Sequence, residues 1–408
     1  MKICLVTPFS SEGGGGGITT HLKLTAEGLL ERGHQVTVIS GARDLPGETP
    51  CTIRGARMEI VSGAHGDTFG RDFWEQSAAT FRRLNSEIKF DVILSEGTSA
   101  MGLMALGPGI PIAGFAHQFK AIHLFNSFQE VTSLRLLAVY ALRTVPRVIR
   151  DAFSSEIPFL RRADAVICGA GHIGEAIRSF YRIRKEKIKT VRYWIDTRTF
   201  RPSPGLRAEG RRLLAAGADD FIFLTVGRLQ ETKGIDTALK AFSKVSASLP
   251  GARLAVVGDG VPGQMEAHRR LAEDLGISGR VIFTGLVPGE SLPALYNAAD
   301  LFLMPSKLLE AGPYTLLEAM ACGLAIIASK RPGSVEMLGK NGFYHVPGDA
   351  GDLAGLMRKL CGDLELRLKS AEANLERSCT VFGKEAALDC LENYLKELVS
   401  SGQGADHG

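Results

Sequence analysis

No stretch of this chain approaches the roughly 20 consecutive apolar residues that a membrane-spanning helix requires. The opening MKICLVTPFS has too short an apolar run for a signal peptide and reads as a first β-strand. The 7 cysteines form an odd, dispersed set with no Cys-x-x-Cys pair and no Cys/His cluster. That pattern argues against a disulfide framework and a zinc site and fits a reducing cytosol. A cytoplasmic location is therefore expected, with a peripheral place at the inner membrane face as a further option. No Asp-x-Asp pair stands where it could hold a divalent ion, so neither a metal nor another cofactor is expected. Neither half carries the full Gly-x-Gly-x-x-Gly fingerprint with its acidic partner, which disfavours a dinucleotide oxidoreductase. Basic residues occur without a recognisable nucleic-acid module, so nucleic acid is not an expected partner.

What is present is the material of an α/β protein. At 408 residues the chain is long enough for two domains, and 45% hydrophobic against 23% charged residues is a globular balance. Many of its 47 glycines fall at strand-to-helix turns. Charge is uneven: residues 1–200 hold 25 Lys and Arg against 19 Asp and Glu, or +6, and residues 201–408 hold 23 against 25, or −2. The excess gathers between Arg135 and Arg198, including Arg143, Arg147 and Arg150 beside apolar residues such as Val139, Leu142, Val145 and Val148. That stretch reads either as a core helix with a solvated basic edge or as an interfacial helix drawn to anionic lipid.

Lys2–Thr7, the loop Ser11–Gly17 with its five successive glycines, an apolar-periodic Ile18–Arg32 and Gln35–Ser40 spell strand, turn, helix, strand. This is a βαβ unit, the start of a doubly wound parallel sheet. Gly16 and Gly17, at the helix entrance, let backbone N–H groups approach an anion or sugar. Further strands are expected at Asp91–Leu94, Pro111–Ala116 and Ala165–Cys168. Pro202–Gly205 reads as a linker, after which the pattern restarts with strands at Phe221–Val226, Arg253–Val257, Val281–Thr284 and Leu301–Met304. Two domains are expected, 1–200 and 201–381, with a helix at about 382–399 returning to the first and a disordered tail at 400–408. Lone histidines such as His123 and His172 read as structural, whereas His117 follows a strand end where open sheets bind ligands.

The stretch Met304–Ser329, MPSKLLEAGPYTLLEAMACGLAIIAS, organises the second half. A loop bearing Glu310 leads to a helix expected to start near Gly312-Pro313, with Tyr314 and Thr315 in its first turn and Glu318 about two turns in. A helix N-terminus seats a phosphate through free N–H groups and the dipole. Glu318 is set among apolar residues, where a carboxylate seldom serves solubility alone. Earlier, Arg228 and Lys233 flank a second helix start and form a plausible diphosphate clamp, a forked donor beside a compact charge.

These residues resemble the retaining glycosyltransferases of family 4, also called glycosyl transferases group 1, which have the GT-B fold. The resemblance rests on Glu310, seven residues, Glu318 and Ala319-Met320-Ala321-Cys322-Gly323. Gly227-Arg228-Leu229 with Lys233-Gly234-Ile235-Asp236, Gly16-Gly17-Ile18-Thr19-Thr20-His21 and Pro332-Gly333-Ser334-Val335-Glu336 extend it. Two departures stand out: Gly312-Pro313 replaces an aromatic and a glycine, and Gly169-Ala170-Gly171 replaces a usual serine. The family implies two Rossmann-like domains facing across a cleft and a nucleotide-diphosphate sugar as donor. It implies diphosphate at Arg228 and Lys233, ribose at Glu318, sugar hydroxyls at Glu310, the base near Gly258 and Val287, and His117 supporting the sugar. It also implies hexosyl transfer to an acceptor hydroxyl with retained configuration, the departing phosphate oxygen assisting proton removal. The acceptor, whether glycan, lipid-linked or small molecule, is expected near Glu96–Ser99 and Gln118–Gln129. Rival readings are a GT-B phosphorylase, a sugar-nucleotide epimerase, a two-carboxylate glycoside hydrolase and a non-catalytic sugar-nucleotide-binding module.

Overall fold

The short Val/Ile/Leu-rich runs form strands, and the inner ones, such as Val92–Glu96, Ala165–Cys168 and Leu301–Met304, are buried along their whole length, as in parallel sheets covered on both faces. The computed structural model describes residues 1–8, 16–41, 52–62, 64–65, 68–69, 71–117, 119–128, 134–217, 219–260 and 263–403. Residues 11–15 of the glycine loop, Gln118, Gln129 and the last five residues lie outside them. The chain divides into two units: Met1–Leu124 with Ala138–Tyr193 and Lys384–Gly408, and Phe125–Leu137 with Trp194–Gly383.

The first unit holds β1 (Lys2–Thr7), β2 (Gln35–Gly41), β3 (Arg57–Val61), β4 (Val92–Glu96), β5 (Ile112–Phe115), β6 (Ala165–Cys168) and β7 (Ile188–Thr190). They pair in parallel in the order β3-β2-β1-β4-β5-β6-β7. The strand order reverses between β1 and β4, and it is at the carboxyl ends of strands beside such a point that open parallel sheets bind ligands. Helix α1 (Gly16–Glu31) follows β1. The Lys384–Gln403 helix lies against it, with Leu388 over the bare backbone of Gly28. Arg32 spreads to Glu385, Asp389 and Glu392 at 2.8, 2.6 and 3.0 Å.

The second unit repeats the plan with β8 (Phe221–Val226), β9 (Ala252–Val257), β10 (Val281–Gly285), β11 (Leu301–Met304), β12 (Ile326–Ser329) and β13 (Phe343–His345). Their order is β10-β9-β8-β11-β12-β13, all parallel, with the reversal between β8 and β11. Helices α2 (Ile235–Ser246), α3 (Leu292–Ala298) and α4 (Tyr314–Ala321) cover this sheet. Its core runs from Phe223 and Leu254 to Ile327 and Met357. The chain thus has the α/β fold expected of it, two Rossmann-like parallel sheets.

The expected boundary shifts. Trp194 is fully buried and Ile195 bridges to Gly383, so the second unit begins at Trp194 rather than after residue 200. Pro202–Gly205 is no linker. Ser203 caps a helix over Pro204–Leu213 by accepting from Leu206 N at 3.3 Å, and its own N–H donates to Asn297 Oδ1 at 2.7 Å. Proline at the first helical position is well tolerated, which explains why a breaker signal marks a helix start.

Candidate functional site

In the second unit the site grows from the strand ends at the reversal point. β8 is followed by Gly227 and Arg228, and a short turn, Glu231–Lys233, delivers Lys233 to the start of α2. The loop after β11 is tied to that turn by Lys307 N donating to Thr232 O at 2.8 Å, and by Lys307 Nζ to Asp236 at 2.9 Å. This puts Lys233 Nζ 2.6 Å from Glu310 Oε1, which also accepts from Ser306 Oγ at 2.7 Å. Two residues expected to serve different parts of a ligand therefore form one ion pair, lining a small hollow with Thr225, Gly227, Ser306 and Thr315. Arg228 is exposed, and its guanidinium makes no hydrogen bond or ion pair among the described residues. Two contacts hold the Glu310 loop. Asn126 accepts from Leu309 N at 2.9 Å and donates to Leu309 O at 3.4 Å, and Gly333 packs so closely that any side chain there would overlap Glu310 O.

Helix α4 starts one residue later than expected. Pro313 has ψ 125° and is its extended N-cap, not its first helical residue. Gly312, Pro313 and Thr315 are half-buried beside the buried Tyr314. Glu318 is the fifth residue of α4, just over one turn in rather than two, and is 7% exposed. Its Oε2 accepts from Tyr296 of α3 at 2.7 Å, a partner that the sequence does not suggest at a separation of 22. Burial pushes the Glu318 carboxyl up to about 7, against the opposing pull of that bond. Gly258, after β9, lies against Gly227 and donates to Gly285 O at 3.0 Å. Val287 is half-buried on the loop after β10.

The Glu318 shift carries a stability prediction. A carboxyl whose folded pKa is about 7, against 4.5 ordinarily, binds its proton more tightly when folded. Its contribution is most favourable below the unfolded value, declines as pH rises towards 7, and is then a fixed penalty of roughly 3 kcal/mol. Glu318→Gln keeps the carbonyl acceptor for Tyr296 and removes the penalty. Thermal melts at pH 5.5 and 8 are expected to show a flatter profile for the variant, and greater stability than the wild type at pH 8. A parallel decline in both proteins would refute the assignment.

In the first unit the crevice holds a polar chain that sequence reasoning did not assemble. His21 comes from α1, Glu96 ends β4, His117 follows β5 and Tyr193 follows β7. Glu96 Oε1 lies 2.9 Å from His21 Nδ1, and Oε2 makes a short hydrogen bond with His117 Nε2. His117 Nδ1 lies 2.8 Å from the Tyr193 hydroxyl. Gly169, one of the family departures, leaves the space that the Tyr193 ring occupies. Burial works against the Glu96 charge, but the flanking imidazoles outweigh it and hold the carboxyl well below its ordinary range. Burial also lowers the His21 imidazole. Glu96 and Ser99 are buried and turned inward, so they do not line an open acceptor pocket as expected. Gly16 and Gly17 are exposed at the start of α1. His21, Glu96 and His117, which no sequence spacing links, place potential metal ligands within 4.8 Å of one another.

Two family models together match most of the chain: Glycosyltransferase Family 4 over residues 15–199 and Glycosyl transferases group 1 over residues 207–377. The chain is 35% identical over 156 residues to the GDP-mannose-dependent alpha-(1-6)-phosphatidylinositol monomannoside mannosyltransferase of Mycolicibacterium smegmatis. That match spans 36% of this chain and 40% of the relative. It is 27% identical over 369 residues to the D-inositol 3-phosphate glycosyltransferase of Acidothermus cellulolyticus, 85% of this chain and 78% of the relative. The sucrose-phosphate synthase of Thermosynechococcus elongatus superposes with TM-score 0.79 at 21% identity, over 98% of this chain and 100% of its own. With both sheets, both models and the Glu310-to-Glu318 signature in agreement, the chain belongs to the family 4, group 1 glycosyltransferases of GT-B fold.

Proposed function

We propose that this protein moves a hexose-type sugar from a nucleotide-diphosphate sugar to an acceptor hydroxyl, retaining anomeric configuration and using no metal. The observation that supports it best is the cluster of Lys233, Glu310 and Ser306 at the carboxyl ends of β8 and β11. In this reading Arg228 and Lys233 take the diphosphate, together with N–H groups at the start of α4, except at Pro313, which has none. Lys233 then leaves Glu310 free to accept from the sugar's hydroxyls, while Glu318 holds ribose, Gly258 and Val287 flank the base and His117 touches the sugar. Gly16 and Gly17 offer backbone N–H groups at the α1 entrance. Cleavage of the anomeric C–O bond develops negative charge on the diphosphate, which fixed cations stabilise without reorganising. The departing phosphate oxygen takes the acceptor's proton on the same face, so no protein nucleophile is required.

A thermal-shift screen of nucleotide sugars tests this directly. Ligand at a hundredfold excess over Kd stabilises the folded state by about 2.7 kcal/mol. No shift with any nucleotide sugar would overturn the proposal. Product analysis with and without orthophosphate then separates transfer from phosphorolysis, epimerisation and mere binding. Turnover is expected to survive EDTA, and loss restored by magnesium or manganese would contradict the metal-free mechanism.

The acceptor reading concerns the helical run Tyr140–Thr144, Val145–Asp151 and Ala152–Glu156. Leu142 and Phe153 are 77% and 69% exposed there, with Ile149, Arg143, Arg147 and Arg150 also open to solvent. A core helix with a basic edge would hide these apolar side chains. We propose that this face meets an anionic membrane surface, as suits a lipid-linked acceptor. Binding to anionic vesicles is expected to be largely lost in 1 M salt, where charges are screened over about 3 Å. It should also weaken in Leu142→Gln/Phe153→Gln. Equal binding to neutral vesicles would refute it.

A further inference from the structure

Leu309, the residue before Glu310, has its N–H and its carbonyl held by one side chain. Asn126 Oδ1 accepts from Leu309 N at 2.9 Å, and Asn126 Nδ2 donates to Leu309 O at 3.4 Å. A planar amide carries an acceptor and a donor side by side, so it meets the backbone of a single residue as a neighbouring strand would. Only this orientation of the amide satisfies both groups, because a flip sets oxygen against oxygen and N–H against N–H. Asn126 is 9% exposed and belongs with Phe125–Leu137 to the second unit, as Leu309 does. Its neighbour Phe125 meets the Arg331 guanidinium, 5.9 Å from the ring centroid. Arg331 precedes the Pro332–Leu338 helix, whose Gly333 is pressed against Glu310 O. Adjacent residues of the Lys120–Phe128 helix thus hold both Leu309 and the segment that packs over Glu310.

We infer that Asn126 is a positioning residue that keeps Glu310 in place once Lys233 has turned to the diphosphate. The inference rests on the proposed function in one respect, that Glu310 accepts from the sugar's hydroxyls. Lys233 and Ser306 both donate to Glu310 Oε1, at 2.6 and 2.7 Å. When a diphosphate draws Lys233 away, Ser306 remains, but it sits on the same loop and moves with Glu310. Asn126 grips that loop from a helix 183 residues away in the chain, so it is an anchor from outside. Arg228, Lys233 and Glu318, which serve the nucleotide in this reading, make no hydrogen bond to Asn126 or Leu309 among the described residues. The grip therefore acts on the sugar end of the site alone. Residues 118–129 were expected to line the acceptor, whereas Asn126 spends both its polar groups on backbone. Leucine at position 126 keeps the volume and loses both bonds, while aspartate keeps the acceptor for Leu309 N–H.

Two measurements on the full-length protein test this. The first is hydrogen exchange at the Leu309 amide in the protein alone. Exchange is expected to be about tenfold faster or more in Asn126→Leu and close to wild type in Asn126→Asp. Equal rates in wild type and Asn126→Leu overturn the inference whether or not a sugar binds. The second compares Kd for GDP or UDP, whichever binds the wild type, with kcat for the nucleotide-hexose that the wild type turns over, folding being matched by circular dichroism. Asn126→Leu is expected to keep Kd within about threefold and to lose about tenfold or more in kcat, with Asn126→Asp losing less. An unchanged kcat in Asn126→Leu overturns the inference while leaving the proposed function intact. Nucleotide binding lost in step with kcat also overturns it, since that marks general damage to the site. Should Asn126→Leu not fold, Asn126→Ala removes both bonds without bulk and is read by the same criteria. A wild type that binds neither GDP nor UDP and transfers no sugar removes the proposed function and the reaction role of Asn126 with it, while the exchange rates still read the grip.

Discussion

Replacing Lys233 by alanine is expected to lower turnover with a nucleotide sugar by at least about tenfold, and by up to about a hundredfold, the loss typical of one charged or preorganised contact to a developing anion. The structure adds a second consequence. Lys233 and Glu310 are 24% and 11% exposed, so the pair is largely screened from water. Without the lysine, Glu310 retains Ser306 as a neutral donor but no countercharge. A carboxylate left without its partner in such a place destabilises by about 1–3 kcal/mol. Lys233→Ala/Glu310→Gln should therefore melt higher than Lys233→Ala while being no more active. Rates near wild type in Lys233→Ala, measured at saturating donor, would remove the diphosphate assignment.

The largest effect on folding is expected at Gly258. Its φ is +130°, and a Cβ there would overlap the carbonyl oxygen of Gly227. Backbone strain of this kind costs about 1–3 kcal/mol, and overpacking against rigid backbone about as much again. Against a total stability of about 5–15 kcal/mol, Gly258→Ala should lower the melting temperature sharply or abolish soluble expression. Any folded remainder has to part the ends of β8 and β9, which misplaces Arg228. Gly279→Ala is the control, because nothing lies within 4 Å of its added carbon. Equal melting temperatures for the two variants would show that the contact is not what constrains Gly258.

How much was legible follows from the range of each signal. Strands such as Ala165–Cys168 and Leu301–Met304 were readable because a fully buried parallel strand writes its burial into every residue. The edge strands Arg57–Val61 and Phe343–His345 were not, since their ladder partners extend them and their own composition does not. Residues at strand ends, such as Arg228, Lys233, Glu310 and His117, were legible because chemistry in open α/β sheets sits there. Their partners were hidden. Glu96 meets His21 across 75 residues, and Asn126 grips Leu309 across 183, distances over which neither periodicity nor spacing carries information. The Trp194 boundary was misplaced for a similar reason: a proline-rich stretch signals a break in regular structure, and a helix start is one such break.

The Lys384–Gln403 helix has a consequence for the order in which the chain can become structured. Leu388, Leu391 and Leu395 are buried, and Leu388 meets α1 at Gly28. On the ribosome, everything from Trp194 to Gly383 emerges before these leucines do. The second unit can thus reach its native state while the first still shows a bare apolar stripe on α1 to chaperones and to neighbouring nascent chains. Domains commonly fold in order from the amino end during synthesis. Here the sequence of events is inverted, and the earliest-made unit is the last to be sealed.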